Sequence, residues 1–185
     1  MAMPDTVRWT RKRVLALPFD GTRYELIDGE LLVTPTPRPR HQFAIRYLDL
    51  KLQPYVTAHQ LGHCLPLAAD LEPEPGQLTQ PDLFVIPGAP RFRRWEDAPK
   101  PLLVVEILSP STARYDRTLK RRFYQRAGIP EYWVVDLDAR VIERWRPDDL
   151  RPEVIDQVLE WQPLPTVPPL QVALGDYFDE IDGST

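Results

Sequence analysis

The strand predicted at residues 102–108 constrains the fold most, because it carries a carboxylate within an apolar run. It reads LLVVEIL, and its apolar side chains alternate between two faces, so both faces are predicted to be buried. Glu106 is the exception. A buried carboxylate is costly unless a cation, a metal ion or hydrogen-bond donors compensate its charge. The strand therefore predicts such a partner beside Glu106.

A basic amphipathic helix is predicted after this strand. Residues 109–112, SPST, are typical of a turn and helix N-cap, and Gly128 is predicted to end the helix. From Glu106 to the turn the strand advances about 10 Å, at about 3.3 Å per residue. A helix that begins near Ala113 returns about 10 Å by Lys120, at about 1.5 Å per residue. The Lys120 ammonium is therefore predicted to lie level with Glu106.

A second carboxylate is predicted on a neighbouring strand. The stretch PDLFVI at residues 81–86 reads as a strand that begins at Pro81, and Asp82 is its first side chain after the proline. Hard divalent cations prefer oxygen ligands, so Asp82, Glu106 and the backbone carbonyl of Ile107 form a half-shell suited to magnesium. A lysine beside such an ion orients the attacking water or neutralises the transition state.

Structural explanations stay open for each of these residues taken alone. A simple buried ion pair with Lys120 or an arginine would explain Glu106. A role as the cap of its strand start would explain Asp82. Asp116 and Lys120 are spaced i,i+4, which is typical of a helix-surface pair. The joint placement of two carboxylates and a lysine is what favours a site.

A β-hairpin is predicted at residues 23–34, with Asp28-Gly29 as a two-residue type I′ turn. In that register Glu25, Ile27, Glu30 and Leu32 share one face, so two acids lie on one side of the hairpin. A solvent-facing surface explains these acids as well as a site does.

A helix is predicted from about His41, where apolar residues follow helical spacing. Pro54 is predicted to end or kink it, and Gly62 to cap any continuation. Further strands are predicted at residues 131–137 and 141–146, an edge strand at 170–174 and a short helix at 175–181.

Composition bounds the class of protein. The 185 residues are 43% apolar, which suits one globular domain, and the single cysteine excludes an intramolecular disulfide and suits a reducing cytoplasm. The sequence shows no signal peptide and no run of eighteen apolar residues, so a soluble protein with no membrane partner is expected. The net charge of −4 argues against coating nucleic acid by bulk electrostatics.

Two basic segments are nevertheless candidates for phosphate contacts. They are the loop at residues 91–94, which continues into Trp95, and the helix at 114–126. Solvated surface charge explains each of them equally well when it is considered alone.

Five separated motifs occur in one order: YELIDGEL, HQ at a helix start, QPDLFV, LVVEILSPST and YDRTLKRRFYQRAGIPEYWVVD. Over residues 23–146 they resemble the Uma-type restriction endonuclease family, a branch of the PD-(D/E)xK nuclease superfamily. The resemblance implies an α/β (α+β) fold with a restriction-endonuclease-like αβββαβ core, whose mixed central sheet is flanked by helices. Residues 147–185 are expected to extend the same domain. The resemblance also implies a magnesium- or manganese-dependent phosphodiesterase site with Asp82 and Glu106 as metal ligands.

One position departs from the superfamily pattern. The lysine usually stands two residues after the glutamate on the same strand, and Leu108 occupies that position here. In this family the lysine looks to have moved to the following helix, at Lys120. Glu25, Glu30 and His41 lie in motifs that resemble the family's and are candidates to complete the site, with Glu30 ranked ahead of Glu25.

Two functional hypotheses follow. The first is a metal-dependent endonuclease, with DNA favoured over RNA as its substrate, in which Asp82, Glu106, Lys120 and Glu30 are catalytic. The second is a catalytically silent protein of the same fold that acts in binding or assembly, with a homodimer left open. The second hypothesis draws on the acidic net charge and on aromatic residues expected to be exposed, Trp95, Trp145 and Trp161.

Overall fold

A computed structural model describes residues 8–18, 21–66, 69–88 and 92–183. Arg91 of the predicted basic loop lies outside these ranges. The first helix of the described residues, α1, spans Arg11–Val14. None of the described helices is long and apolar enough to cross a membrane.

The hairpin has the predicted register. Strand β1 (Arg23–Ile27) pairs antiparallel with β2 (Glu30–Thr34), and Glu25 lies opposite Leu32. Asp28 and Gly29 both have positive φ, 53° and 83°, as a type I′ turn requires. The face that carries Ile27 and Leu32 packs into the core, so Glu25 is buried and its interpretation as a solvent-facing acid is wrong.

A mixed sheet forms the centre of the fold, as predicted, and among the described residues it has six strands. In spatial order the strands are β3 (Gly62–Leu65), β4 (Leu83–Pro87), β5 (Leu103–Ile107), β6 (Glu131–Asp136), β7 (Val141–Trp145) and β8 (Glu153–Ile155). Only the β5–β6 pair is parallel; the other neighbours are antiparallel. A parallel pair needs a crossover connection, and the helical stretch at residues 113–126 supplies it.

Helix α2 (Pro39–Ala58) is longer than predicted. It begins at Pro39, where the missing N–H costs nothing, and continues through Pro54. Beyond Pro54, Tyr55 and Val56 are buried in the core cluster on this face of the sheet, which favours continuation of the helix. The prediction that Pro54 ends the helix is therefore wrong, because the helix continues to Ala58.

Gly62 does not cap α2 but begins β3. Its φ is 138°, and a Cβ atom there would lie 1.9 Å from the carbonyl oxygen of Ile86 on β4. Close approach of the two backbones, and not helix termination, explains this glycine.

The crossover stretch is not a uniform α-helix. It consists of α3 (Ala113–Tyr115), a π-helical segment at Asp116–Lys120, and α4 (Arg121–Arg126). It packs with the hairpin on the sheet face that carries Phe84 and Val104. Asp116 and Lys120, at the two ends of the π segment, are both buried.

The C-terminal part adds elements that the sequence did not predict. Strand β8 extends the central sheet, and β9 (Val158–Trp161) pairs with β10 (Leu170–Ala173), the predicted edge strand. Helix α5 (Leu174–Asp182), which confirms the short helix predicted at residues 175–181, packs against α2. Trp145 and Trp161 are buried and Trp95 is partly buried against Phe84, so the expected exposure of Trp145 and Trp161 is wrong.

Candidate active site

Asp82 and Glu106 lie at the same end of neighbouring strands. Strands β4 and β5 are antiparallel, with Leu83 opposite Val105, so the start of β4 adjoins the end of β5. One oxygen of Asp82 accepts the backbone N–H of Ile107 at 2.9 Å. Both carboxylates are almost inaccessible to solvent, with 3% and 2% exposure. Two neighbouring strands therefore each present one buried carboxylate.

Three donors hold the Asp82 carboxylate. Besides the Ile107 N–H, the guanidinium of Arg23 donates at 2.8 Å, and Nε2 of His41 lies 3.1 Å away. Burial alone would raise the pKa of Asp82. The hydrogen bond and charge of His41, the charge of Arg23 and the Ile107 N–H outweigh burial and hold that pKa well below its usual range.

Glu106 lies beside the Lys120 ammonium, as the strand and helix rises predicted. Lys120 Nζ donates to Glu106 Oε1 at 3.0 Å, and the Tyr124 hydroxyl is 3.5 Å from the same oxygen. Burial raises the pKa of Glu106 well above its usual value although Lys120 opposes the shift, and the charge of Asp82 raises it further. Because the Glu106 carboxylate is so costly to ionise, additional positive charge at this point would stabilise it.

Lys120 contacts two more carboxylates. Its Nζ lies 2.8 Å from Glu25 Oε2 and 3.5 Å from Asp116 Oδ1. Burial would lower the pKa of Lys120, but the charges of Glu106, Glu25 and Asp116 raise it well above its usual value. Burial also raises the pKa of Asp116. The i,i+4 pair considered from the sequence exists, but it lies inside the protein.

Glu25, and not Glu30, reaches this cluster. Glu25 is fully buried, and its Oε1 accepts the backbone N–H of Gln80 at 2.8 Å. Glu30 lies opposite Ile27 beside the hairpin turn, is exposed and does not line the cavity at the carboxylates. Glu30 was ranked ahead of Glu25, but the structure brings Glu25 and not Glu30 to the carboxylates, because Glu30 adjoins the exposed hairpin turn.

Two members of the cluster were not identified from the sequence. Arg23 stands two residues before Glu25 on β1, so the two side chains share one face of the strand. That shared face was the signal in the sequence that could have identified Arg23. Asp116 was interpreted only as a surface partner of Lys120. The π-helical segment turns Asp116 and Lys120 inward together, and the sequence carries no comparable indication of that turn.

A cavity of about 780 Å³ opens at this end of the sheet. Asp82, Glu106, Ile107 and Lys120 line it, together with three segments of chain: residues 34–41, 108–117 and the β6–β7 turn at 136–139. His41 lines it as well, so a space of about nucleotide size adjoins these site residues, although the Asp82 and Glu106 carboxylates themselves are almost covered.

The lining of this cavity is balanced in formal charge. Its cationic members are Arg23, Arg38, Arg40, Arg117 and Lys120, and its acidic members are Asp82, Glu106, Asp116, Asp136 and Asp138. Two rim arginines are already paired. Arg117 bonds Asp136 at 2.7 Å, and Arg40 bonds Asp138 at 2.6 Å. The cavity does not present a strongly positive surface to a phosphate backbone.

The predicted phosphate contacts are mostly engaged or distant from the carboxylates. Arg126 pairs with Asp28 and Glu74, at 2.8 and 3.0 Å. The loop at residues 92–94 follows β4, whereas Asp82 precedes that strand, so the loop and the carboxylate lie at opposite ends of β4. Arg38 and Arg117, at the cavity, are better placed.

The donor chemistry of the site fits a hard divalent cation. Around the two permanent cations Arg23 and Lys120 lie four buried carboxylates, those of Glu25, Asp82, Glu106 and Asp116. Carboxylate oxygens are what magnesium and manganese prefer, and the negative excess favours added positive charge.

The side chains are not yet arranged around one point. Among the described residues, no three His, Cys, Asp or Glu side chains converge to hold a metal ion. Asp82 faces Arg23 and His41, while Glu106 faces Lys120. Metal binding therefore requires these two carboxylates to exchange some of their present partners.

Comparison with known proteins identifies the family. No curated protein sequence matches the chain. A crystal structure described as that of "a putative nuclease belonging to DUF820" from Anabaena variabilis ATCC 29413 has a TM-score of 0.74, covering 93% of this chain and 98% of that chain. Their sequence identity is 21%, so this likeness concerns the fold alone. The family model Uma2, described as "Putative restriction endonuclease", matches residues 12–175. The chain therefore belongs to the Uma2 family of restriction-endonuclease-like proteins.

Proposed function

We propose that this protein is a nuclease that hydrolyses phosphodiester bonds with magnesium or manganese, and that its substrate is DNA. The observation that carries the proposal is the set of four buried carboxylates around the two permanent cations Arg23 and Lys120, beside an open cavity. An acidic excess of this kind is costly to fold, and a divalent cation offsets it. A purely structural ion-pair network has no need of the excess.

Asp82, Glu106 and the backbone carbonyl of Ile107 would hold the ion. When bound, the ion supplies a Lewis acid for a phosphoryl oxygen and lowers the pKa of a coordinated water. Arg23 and His41 orient Asp82 through hydrogen bonds from two directions. Lys120 keeps positive charge beside Glu106, where it stabilises negative charge that develops on the phosphate.

Arginines at the rim of the cavity would contact the substrate. Arg38 is exposed at the start of α2, and the paired Arg117 lies on the facing crossover stretch. Because the cavity lining is balanced in charge, we expect nucleic acid to bind weakly without metal and with a shallow salt dependence.

Metal titration and cleavage assays test the proposal together. Wild-type protein and the variants Asp82→Asn and Glu106→Gln are titrated calorimetrically with manganese and magnesium. They are then incubated with plasmid, linear duplex, single-stranded DNA and RNA. We expect wild-type protein to bind metal and cleave DNA, and both variants to lose both properties.

Asp156→Asn is the matched control, because Asp156 is exposed in the turn between β8 and β9, outside the cavity lining. It should behave as the wild type. Cleavage by Asp82→Asn at the wild-type rate would refute the assignment of this site.

A second candidate function has one observation in its favour. Both strand carboxylates are satisfied by protein cations as they stand, which also suits a catalytically silent binding or assembly protein, with a homodimer as its assembly. It predicts no metal binding at millimolar concentration and no cleavage of any nucleic acid. Light scattering measures the oligomeric state in the same samples.

A further inference from the structure

The Lys120 ammonium is held from three sides. Glu106 approaches it from β5, Glu25 from the hairpin and Asp116 from the same helical stretch, with Glu25 nearest at 2.8 Å. Only Glu106 belongs to the pair of strand carboxylates that would hold metal. Glu25 and Asp116 have no such role, although each is a buried acid that costs folding free energy.

We propose that Glu25 is a positioning residue that sets the place of the Lys120 ammonium relative to Asp82 and Glu106. This inference rests on the proposed nuclease function, and it adds the hairpin to the machinery of the site. Glu25 acts through Lys120.

The first support is that Glu25 bridges two elements of the site. Its Oε2 forms an ion pair with Lys120 on the crossover stretch at 2.8 Å, while its Oε1 accepts the backbone N–H of Gln80 at 2.8 Å. Gln80 lies two residues before Asp82. One carboxylate therefore connects the lysine to the segment that carries the other strand acid.

The second support is the rigidity of the bridge. Leu26, the neighbour of Glu25, exchanges two backbone hydrogen bonds with Leu78, at 2.7 and 2.9 Å. The hairpin and the segment before Asp82 are thus joined directly by backbone bonds. Glu25 extends from this joined unit and has little freedom to follow Lys120 if the lysine moves.

The third support is the chemistry required at position 25. The two oxygens of Glu25 meet different groups: Oε1 accepts the Gln80 N–H, and Oε2 lies 2.8 Å from the Lys120 ammonium as its ion-pair partner. A carboxylate places a negatively charged oxygen at both groups, whereas a glutamine has one acceptor oxygen and turns its NH₂ group toward the other group. Glu25→Gln is thus nearly isosteric and still breaks one of the two contacts.

The test compares Glu25→Gln with Glu30→Gln, the same substitution at an exposed position of the same hairpin. Displacement of a catalytic group by about 1 Å costs on the order of 10²-fold in rate. We expect kcat for DNA cleavage to fall by about 10²-fold in Glu25→Gln, with KM within about twofold of wild type, and no change in Glu30→Gln. Glu25→Asp, which keeps the charge but is one methylene shorter, is expected to lose kcat in the same way and serves if Glu25→Gln does not fold.

A double-mutant cycle separates positioning from general damage. If Glu25 acts through Lys120, adding Glu25→Gln to a Lys120→Met protein lowers residual kcat no further. An equal further loss in both backgrounds would overturn the inference, as would an unchanged kcat in Glu25→Gln.

A spectroscopic measurement distinguishes failure of this inference from failure of the proposed function. A buried, hydrogen-bonded lysine ammonium exchanges its protons slowly and gives a resolved side-chain NH₃⁺ signal, which Lys120→Met assigns. We expect this signal in the wild type and in Glu30→Gln, and its shift or loss in Glu25→Gln and Glu25→Asp. If the wild type cleaves no nucleic acid, the proposed function fails, and an unchanged Lys120 signal in Glu25→Gln still refutes the positioning role independently.

Discussion

Replacement of Lys120 by methionine is the sharpest test of the buried charge cluster. Methionine has a similar length and is apolar, so the change removes the ammonium while it keeps most of the packing. Glu25 and Glu106, at 2.8 and 3.0 Å, then lose their shared cation. Both are at most 2% exposed, so solvent screens their charges weakly.

The expected loss of stability is large. Removing one partner of a buried ion pair costs about 3–5 kcal/mol. For a chain of this length, about 2–4 °C of Tm accompanies each kcal/mol, which gives a fall of about 6–20 °C. The matched control is Arg140→Met. Arg140 pairs with Asp179 at 2.7 Å, which is shorter than either Lys120 distance, but its side chain is 40% exposed. An exposed pair contributes about 0–1 kcal/mol, so this variant should lose at most a few degrees.

Unfolding is followed by tryptophan fluorescence, which reports on the buried Trp133 and Trp161, in urea and on heating without added metal. The pH dependence supplies a second criterion. In Lys120→Met the pKa of Glu106, already raised by burial, rises further, so the native state binds more protons than the unfolded state. Stability lost at pH 8 should therefore be regained progressively as the pH falls toward the ordinary glutamate pKa of about 4.3. A loss no greater than that of Arg140→Met, or a loss independent of pH, would refute the account of the cluster.

Three further outcomes are expected. Glu106→Gln should abolish metal binding and cleavage. Without metal, at pH 8, it should raise the free energy of unfolding by about 0.5–2 kcal/mol, because it removes a buried charge whose cost is greatest at high pH. A destabilised variant in urea titrations would contradict this. Gly62→Ala should destabilise the protein by several kcal/mol, because its Cβ would lie 1.9 Å from the Ile86 carbonyl oxygen. Gly175→Ala should instead stabilise α5 by about 0.5–1 kcal/mol, because nothing lies within 4 Å of the added Cβ. Equal Tm values for the two variants would be inconsistent with the close approach of β3 and β4 at Gly62. Arg38→Ala should leave Tm unchanged and reduce the slope of log affinity against log salt for DNA by about 1 in fluorescence anisotropy, and an unchanged slope would remove Arg38 from the substrate contacts.

Local sequence signals accounted for much of the scaffold. The Asp28-Gly29 turn and the alternation around it predicted the hairpin register, because a type I′ turn requires positive φ at two positions and a strand has a period of two residues. The rises of strand and helix predicted that Lys120 would lie level with Glu106. These are properties of chain geometry over a few residues, and distant parts of the protein do not alter them.

The failed predictions share a different cause. Pro54 does not end α2, since residues beyond it pack into the core, and Trp161, expected to be exposed, is covered. In each case burial against a distant element overrides a local preference. The same holds for the choice between Glu25 and Glu30, which share one face of the hairpin and differ only in what covers them.

The sequence by itself determined the hairpin, the order of strands and helices up to β7, and the presence of one acid on each of two neighbouring strands. Only the tertiary structure decided how those acids are compensated. It brings Arg23 and His41 to Asp82, turns Asp116 inward on a π-helical segment, and places Glu25 against Lys120. The physical reason is that a buried charge is stabilised by whichever groups the fold brings within a few ångströms, and that proximity is a property of packing and not of position along the chain.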